Sequence, residues 1–137
     1  MGLIHVDAGV VIGLLDADDA HHESANAALA RVLRSGDRLA MAASAFAECL
    51  VGPQRRGPRA VAVVDDLIER LPIDIADLDR GIARTAASLR ARHIHLRLPD
   101  ALVIATAIEH SADELITTDR KWPTARALKL DITITHL

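Results

Sequence analysis

The sequence predicts an α/β protein with a parallel sheet covered by helices on both faces, and three observations carry that reading. Short apolar runs recur along the chain and are separated by stretches with helical periodicity. The run ELITT, residues 114–118, reads as a short buried strand set between a proline-led helix and a turn. The closing segment DITITHL instead alternates apolar and polar residues, as a strand with one exposed face does at a sheet edge.

Leu3 to Val6 is an apolar run ending at Asp7, and AGVVIGLLD after it is helical in character. Asp16, Asp18 and Asp19 crowd the next turn. His21 and His22 then lead a helix whose expected face is Ala25, Leu29, Val32 and Leu33, ended by Ser35-Gly36-Asp37. Arg38 to Ala43 is a second strand, and SAFAECLVG continues as a helix expected to stop at Gly52-Pro53. On it Ser44 and Glu48 are four residues apart and share a face. A basic loop, PQRRGPR, follows, and positions 60, 61, 64, 67, 68 and 71 mark an amphipathic helix stopped by Pro72. Ile73 to Ile75 is a brief third strand. Asp77 is expected to begin a helix with the buried stripe Leu78, Ile82, Ala86 and Leu89. The stretch from Leu98 to Trp122 supplies another helix, opening with Asp100, and the ELITT strand, which delivers Asp119. No repeat, low-complexity tract or linker divides the chain, so residues 1–137 are expected to form one domain.

At 137 residues a chain can bury roughly two thirds of its unfolded surface and hold a core without staples. Phe46 and Trp122 are the only aromatic residues, so aliphatic side chains must fill that core, and an aromatic platform for stacked bases is nearly excluded. Cys49 stands alone, which rules out a disulfide framework and paired-cysteine zinc spacings. The start, MGLIHVD, shows no basic leader followed by a long apolar segment, and no run is long enough to span a bilayer. A cytoplasmic location is expected. The net charge of −3 argues against binding nucleic acid by bulk charge. Its distribution is uneven: residues 55–97 hold nine Arg against six acidic residues, and the remainder seven basic against thirteen acidic. Fourteen of the sixteen basic residues are Arg, whose planar fork suits phosphate, although a genome biased toward Arg codons gives the same count.

In open α/β sheets, ligands gather at the carboxyl ends of the strands near the point where strand order reverses. Asp7 and Asp119 are predicted at such ends, Asp100 opens the helix before the second of these strands, and Glu48 lies on the helix after strand two. Four carboxylates from four segments meeting there would repel one another, and a divalent cation removes the penalty. Oxygen ligands without Cys suit Mg²⁺ or Mn²⁺ rather than Zn²⁺. Such an ion can activate water and neutralise a phosphodiester. Each residue also has a simpler reading: Asp7 as a helix N-cap, Asp100 as a first-turn charge, Asp119 as a turn cap. Glu48 sits in the apolar context AFAECLV, where an unpaired carboxylate is unfavourable.

Four stretches, VDAGVVIGLLDADDAHHESA, SAFAECLVGP, LPDALVIATA and LITTDRKW, together resemble the PIN-domain ribonucleases, most closely the VapC-type toxins of type II toxin-antitoxin pairs. The resemblance spans essentially the whole chain. It implies a three-layer α/β/α fold with strand order 3-2-1-4-5 and Mg²⁺- or Mn²⁺-dependent endonucleolytic cleavage of RNA. It also implies a homodimer and a cognate antitoxin that blocks the site. Carried over by position, Asp7, Glu48, Asp100 and Asp119 match the family's acidic quartet, with Asp7, Asp100 and Asp119 as metal ligands and Glu48 orienting or deprotonating water. One departure is Gly9, where the family often has Ser, Thr or Asn; Thr117, Thr118 and Ser44 are the residues that could supply the missing hydroxyl.

Arg55, Arg56, Arg59, Arg90, Arg92, Arg97 and Arg120 are the candidates for RNA contact, with solvated helix faces as the competing reading. His21 and His22 read as capping residues, Trp122 as a packing anchor, and His93-Ile94-His95 as too isolated for a second metal centre. A phosphoacceptor receiver domain is the competing enzyme-like class; it needs adjacent acidic residues after the first strand, where Asp7 is followed by Ala8 and Gly9, and a lysine after the last. A PIN fold that binds RNA or a partner without cutting is the other alternative.

Overall fold

The computed structural model describes residues 1–137. Five strands, β1 (Leu3–Val6), β2 (Arg38–Ala42), β3 (Ile73–Ala76), β4 (Glu114–Thr117) and β5 (Thr133–His136), form one sheet in the order β3-β2-β1-β4-β5. Every pairing is parallel. The helices are α1 (Ala8–Leu15), α2 (His22–Ser35), α3 (Ala43–Arg56), α4 (Pro58–Arg70), α5 (Arg80–Arg92), α6 (Leu98–Glu109) and α7 (Ala125–Leu128). This is the expected α/β class and the expected strand order. No helix is long and apolar enough to cross a membrane.

From β1 the chain steps outward to β2 and β3, then returns through α5 and α6 to place β4 on the other side of β1. The reversal therefore falls between β1 and β4, whose registered pairs run from Ile4 with Glu114 to Val6 with Ile116. Asp7 and Thr117 are the next residues along these two strands, and the Asp7 amide donates to Ile116 O at 2.9 Å. Ligand-binding crevices of open parallel sheets open at such a place.

The core is aliphatic, as the composition requires, with 31 buried residues in one cluster. Helix α6 is buried on most sides, through Ala101, Val103, Ile104, Ala105 and Ala107, because small residues let neighbouring elements approach closely. Its buried Thr106 returns its hydroxyl to Leu102 O at 2.7 Å, so no polar group is left unpaired there.

Four local expectations change. Helix α3 runs on through Pro53 to Arg56 instead of stopping at Gly52-Pro53. Pro53 forgoes one helical hydrogen bond near the end, while Arg55 and Arg56 in the last turn favour the helix dipole and the Gly57 amide donates to Pro53 O at 3.0 Å. The expected basic loop is thus a corner at Gly57, whose φ of 115° suits glycine, followed by Pro58 in the first turn of α4. Helix α5 starts at Arg80, not Asp77, because the Asp79 carboxylate accepts from the Ile82 amide at 2.9 Å. Leu78 therefore precedes the helix and is exposed. Leu33 is also exposed, since the buried stripe of α2 is Ala25, Ala28, Leu29 and Val32. At the head of that helix, His22 Nδ1 donates to Gly13 O at 2.8 Å and Nε2 accepts from Asn26 at 3.0 Å when the ring is neutral and carries its proton on Nδ1. The histidine ties α2 to α1.

His5 on β1 is fully buried, neither ring nitrogen has a partner, and its ring meets that of His110 edge-on at 5.5 Å. Burial, and then the His110 charge, lower its pKa to about 4. Between the unfolded value near 6.5 and about 4, the unfolded chain binds a proton that the folded chain refuses, so this residue makes stability fall as pH falls through that window. His5→Leu removes the effect. Denaturant titrations of both proteins across pH 4–7 are expected to show the variant gaining about 3 kcal/mol on the parent toward the acid end; parallel curves would show that His5 does not titrate in this way.

Candidate active site

The site is assembled at the β1–β4 switch point. Asp7 ends β1 and caps α1: one carboxylate oxygen accepts from the Ala8 amide at 2.8 Å, the other from Thr117 Oγ1 at 3.0 Å. Thr117, fully buried at the end of β4, uses the same hydroxyl to accept from the Asp119 amide at 3.1 Å. One threonine thus couples the carboxylate after β1 to the backbone that carries the carboxylate after β4. Asp119 in turn accepts from the Lys121 amide at 2.9 Å, which closes the turn.

The four acidic residues influence one another. Asp7 is only 8 % exposed, and burial raises its pKa to about 6, opposed by its two hydrogen bonds and assisted by Glu48 and Asp100. Partial desolvation by the cleft wall, then Asp100, raise the proton affinity of Glu48, and Arg97 opposes them. For Asp100 the upward causes are burial and Asp119, countered by Trp122 and Arg97. The nearby Cys49 thiol, buried and 3.8 Å from Ala8 O, is pushed up to about 12 by burial, then Asp7 and Glu48. Its thiolate plays no part near neutrality.

Two clefts hold the other three carboxylates, and the buried Asp7 lines neither. One, of about 550 Å³, has Asp100 and Asp119 on its wall facing Arg92, Arg97, Lys121 and the 93–96 loop. The other, of about 450 Å³, is lined by Glu48 and Arg56 between α1 and α3. Glu48 is exposed to that cleft rather than buried, so the apolar surroundings suggested by AFAECLV are the neighbours along the helix and not those of its carboxylate.

The donor chemistry suits a hard divalent cation: carboxylate oxygens only, with burial first and neighbouring carboxylates after it raising the proton affinities of Asp7, Glu48 and Asp100. The quartet is open, since no three His, Cys, Asp or Glu side chains lie close enough together to hold a metal ion as they stand. The single cationic contact is Arg97 with Asp100 at 3.9 Å, and with Arg97 largely exposed it contributes little.

The arginines separate into distinct roles. Arg92 and Arg97 line the larger cleft, Arg56 the smaller, and Arg55 is exposed at the end of α3. Arg120 is exposed beside a third depression with Trp122 and His136. Arg90 is engaged elsewhere: its guanidinium donates to Ile94 O at 2.8 Å and Leu96 O at 2.9 Å, holding the loop that walls the larger cleft.

Three details of the site go beyond the sequence reading. The bridging role of Thr117 follows from the TTD run, but only the register of β1 against β4 shows which hydroxyl meets Asp7. Lys121 joins the cleft through the turn after β4. Trp122 is buried, as a packing anchor should be, and its indole N–H has no formed hydrogen bond, yet it lies toward Asp100 closely enough to lower that residue's proton affinity.

A profile of the PIN domain matches residues 4–128. The chain belongs to the PIN-domain family. Solved structures agree on the PIN fold. The chain is similar to VapBC2 from Rickettsia felis, bound in that structure to a DNA fragment from its promoter, with TM-score 0.76, 14% identity and 98% of each chain covered. It is similar to the Mycobacterium tuberculosis toxin VapC20, which cleaves the sarcin-ricin loop, with TM-score 0.69 and 20% identity over 86% of this chain and 91% of that one. VapBC-1 from nontypeable Haemophilus influenzae gives TM-score 0.71 and 17% identity over 98% and 97%. No curated protein matches the sequence.

The raised pKa of Asp7 has a measurable sign. Between the unfolded value of 3.8 and about 6, the folded PIN domain holds a proton that the unfolded chain releases; above 6 the ionised carboxylate disfavours folding, and below 3.8 the difference vanishes. In EDTA, Asp7→Asn is expected to raise stability at pH 7 by at most about 3 kcal/mol and to give no gain near pH 3.5. Equal effects at both pH values, read by denaturant unfolding, would place the cause in packing instead.

Proposed function

We propose that this PIN domain is a metal-dependent endoribonuclease, the toxin of a type II toxin-antitoxin pair, acting in the cytoplasm on cellular RNA. The observation that carries the reading is the approach of Asp7, Glu48, Asp100 and Asp119 to the switch point, where burial and neighbouring carboxylates raise the proton affinities of Asp7, Glu48 and Asp100. Membership of the PIN family and the likeness of the fold to VapC proteins support it.

In this reading Asp7, Asp100 and Asp119 hold Mg²⁺ or Mn²⁺. When bound, such an ion supplies Lewis-acid stabilisation of the phosphodiester and lowers the pKa of water. Asp7 is fixed by Thr117 and the Ala8 amide, so its carboxylate is oriented before substrate arrives. Glu48, with raised proton affinity, accepts the proton of the attacking water. The water oxygen bonds to phosphorus as the bridging P–O bond breaks, and the leaving oxygen takes up a proton. Arg92, Arg97 and Arg56 line the two clefts and in this reading would meet the phosphates on either side, with Arg55 and Arg120 exposed outside them. Arg90 serves RNA indirectly, through the loop it clamps. The partners are the RNA, a second copy of the chain and a cognate antitoxin that covers the site.

The decisive experiment incubates total cellular RNA with the purified, antitoxin-free protein in Mg²⁺, Mn²⁺ or EDTA, beside Asp100→Asn. Discrete fragments are expected with either metal and none with EDTA, and the variant should lose at least a hundredfold in rate, the order of a removed electrostatic group at a reaction centre. Metal-independent fragments would overturn the assignment. Folded, metal-loaded protein that retains RNA without cutting it would favour a binding module.

A further inference from the structure

Trp122 is the only tryptophan of the chain and the one aromatic residue in an otherwise aliphatic core. It is 4 % exposed, and its indole Nε1 has no hydrogen-bond partner; apart from the ring nitrogens of His5, no other buried side-chain nitrogen or oxygen lacks one. A buried N–H without an acceptor is unfavourable, and a phenylalanine would pack without that penalty. The polar edge of this side chain therefore calls for an acceptor.

The acceptor lies in the same cleft. Trp122 and Asp100 both line the 550 Å³ cleft, and the indole N–H stands close enough to act as a donor to the Asp100 carboxylate, favouring its ionised form. On its other side the carboxylate meets Arg97 at 3.9 Å, and that side chain is largely exposed, so its hold is weak. Asp7 is fixed by two hydrogen bonds and Asp119 by the Lys121 amide. Asp100 is the half-buried carboxylate still without a fixed donor, as Trp122 is the buried donor still without an acceptor. The indole is also carried by the turn that presents Asp119, because the Trp122 amide donates to Asp119 O at 3.3 Å.

We propose that Trp122 is a positioning residue of the acidic site: its indole N–H donates to the Asp100 carboxylate and fixes that carboxylate's orientation in the cleft. A rotation of the carboxylate away from Arg97 completes the bond. The turn after β4 then serves two carboxylates besides its own, Thr117 reaching Asp7 on one side and Trp122 reaching Asp100 on the other. The consequence for cleavage rests on the nuclease reading above; the contact itself does not.

The test needs the N–H removed without the ring. Replacing Trp122 by benzothienylalanine keeps both fused rings and puts sulfur where the N–H was, so its Tm should stay near the parent's. Its kcat for RNA cleavage should fall about tenfold with KM unchanged, the loss expected when one hydrogen bond to a charged group at the reaction centre is removed. Trp122→Phe should lose kcat as well, and should unfold at lower temperature because the smaller ring leaves a cavity. Since the chain has one tryptophan, its NMR spectrum has one indole N–H resonance. That resonance should move upfield and exchange faster with solvent in Asp100→Ala. A benzothienylalanine protein with parental kcat would overturn the proposal, as would an indole resonance that Asp100→Ala leaves in place. A parent that cuts no RNA would overturn the nuclease reading, and the resonance would then still decide whether Trp122 holds Asp100.

Discussion

The hydrogen bond from Thr117 to Asp7 spans the one place in the sheet where chain direction leaves an opening, and the other site residues are arranged by what that bond joins. Strands β1 and β4 are neighbours in space but 110 residues apart in sequence, so their alignment depends on ladder register and on the bond at their ends. A slip of one residue would turn the Thr117 hydroxyl to the other face of the sheet and leave Asp7 buried with a single hydrogen bond. The aliphatic core sets that register. Val6 and Ile116 pair one step before the site and are fully buried, so the apolar demand of the core also aims the polar groups beyond it.

Asp7 shows why such a cluster is held in tension. Its burial disfavours the ionised form by more than the Ala8 amide and the Thr117 hydroxyl restore, and Glu48 and Asp100 add to the imbalance. The fold tolerates this because the opposing terms are local and the 31-residue core is not. Other elements near the site show a similar division of effort. Arg90 holds two carbonyls of the loop beside the larger cleft, and His22 joins α2 to α1, so charged and polar side chains that look available in a sequence are engaged in keeping walls in place.

Much of this was legible before any coordinates. The strand–helix alternation predicts the layers, and the acidic quartet stands out because each member falls at the end of an apolar run or the start of a helix. The misread parts share a physical cause. Gly52-Pro53 predicts a stop, yet a proline near the end of a helix forgoes one bond, and the chain is redirected only at Gly57. Leu33 and Leu78 are apolar but exposed, which periodicity alone cannot show when a stripe is one residue ambiguous or a cap shifts the helix start by three. The Asp79 cap is such a case: Asp77 and Asp79 are equivalent in composition, and only the bond to Ile82 distinguishes them. Contacts between distant segments, such as Arg31 with Glu114, carry no local signal at all.

The charge pattern gains its meaning from the geometry. A net charge of −3 and a carboxylate cluster repel RNA in the absence of a cation, yet the cluster is bordered by Arg92, Arg97 and Lys121 in one cleft and Arg56 in the other. Exposed charges lose most of their influence beyond about 10 Å at 0.1 M salt, so these residues attract phosphate only once it is already near the walls. The buried carboxylate, shielded from solvent, is screened much less, so on the proposed reading its repulsion would be strongest where a phosphate came closest to it. On the proposed reading, the same ion that supplies the chemistry also reverses the sign of the field at the centre of the groove. Substrate binding and catalysis then share one requirement, and neither cleft is expected to hold RNA firmly across the site until the quartet is neutralised.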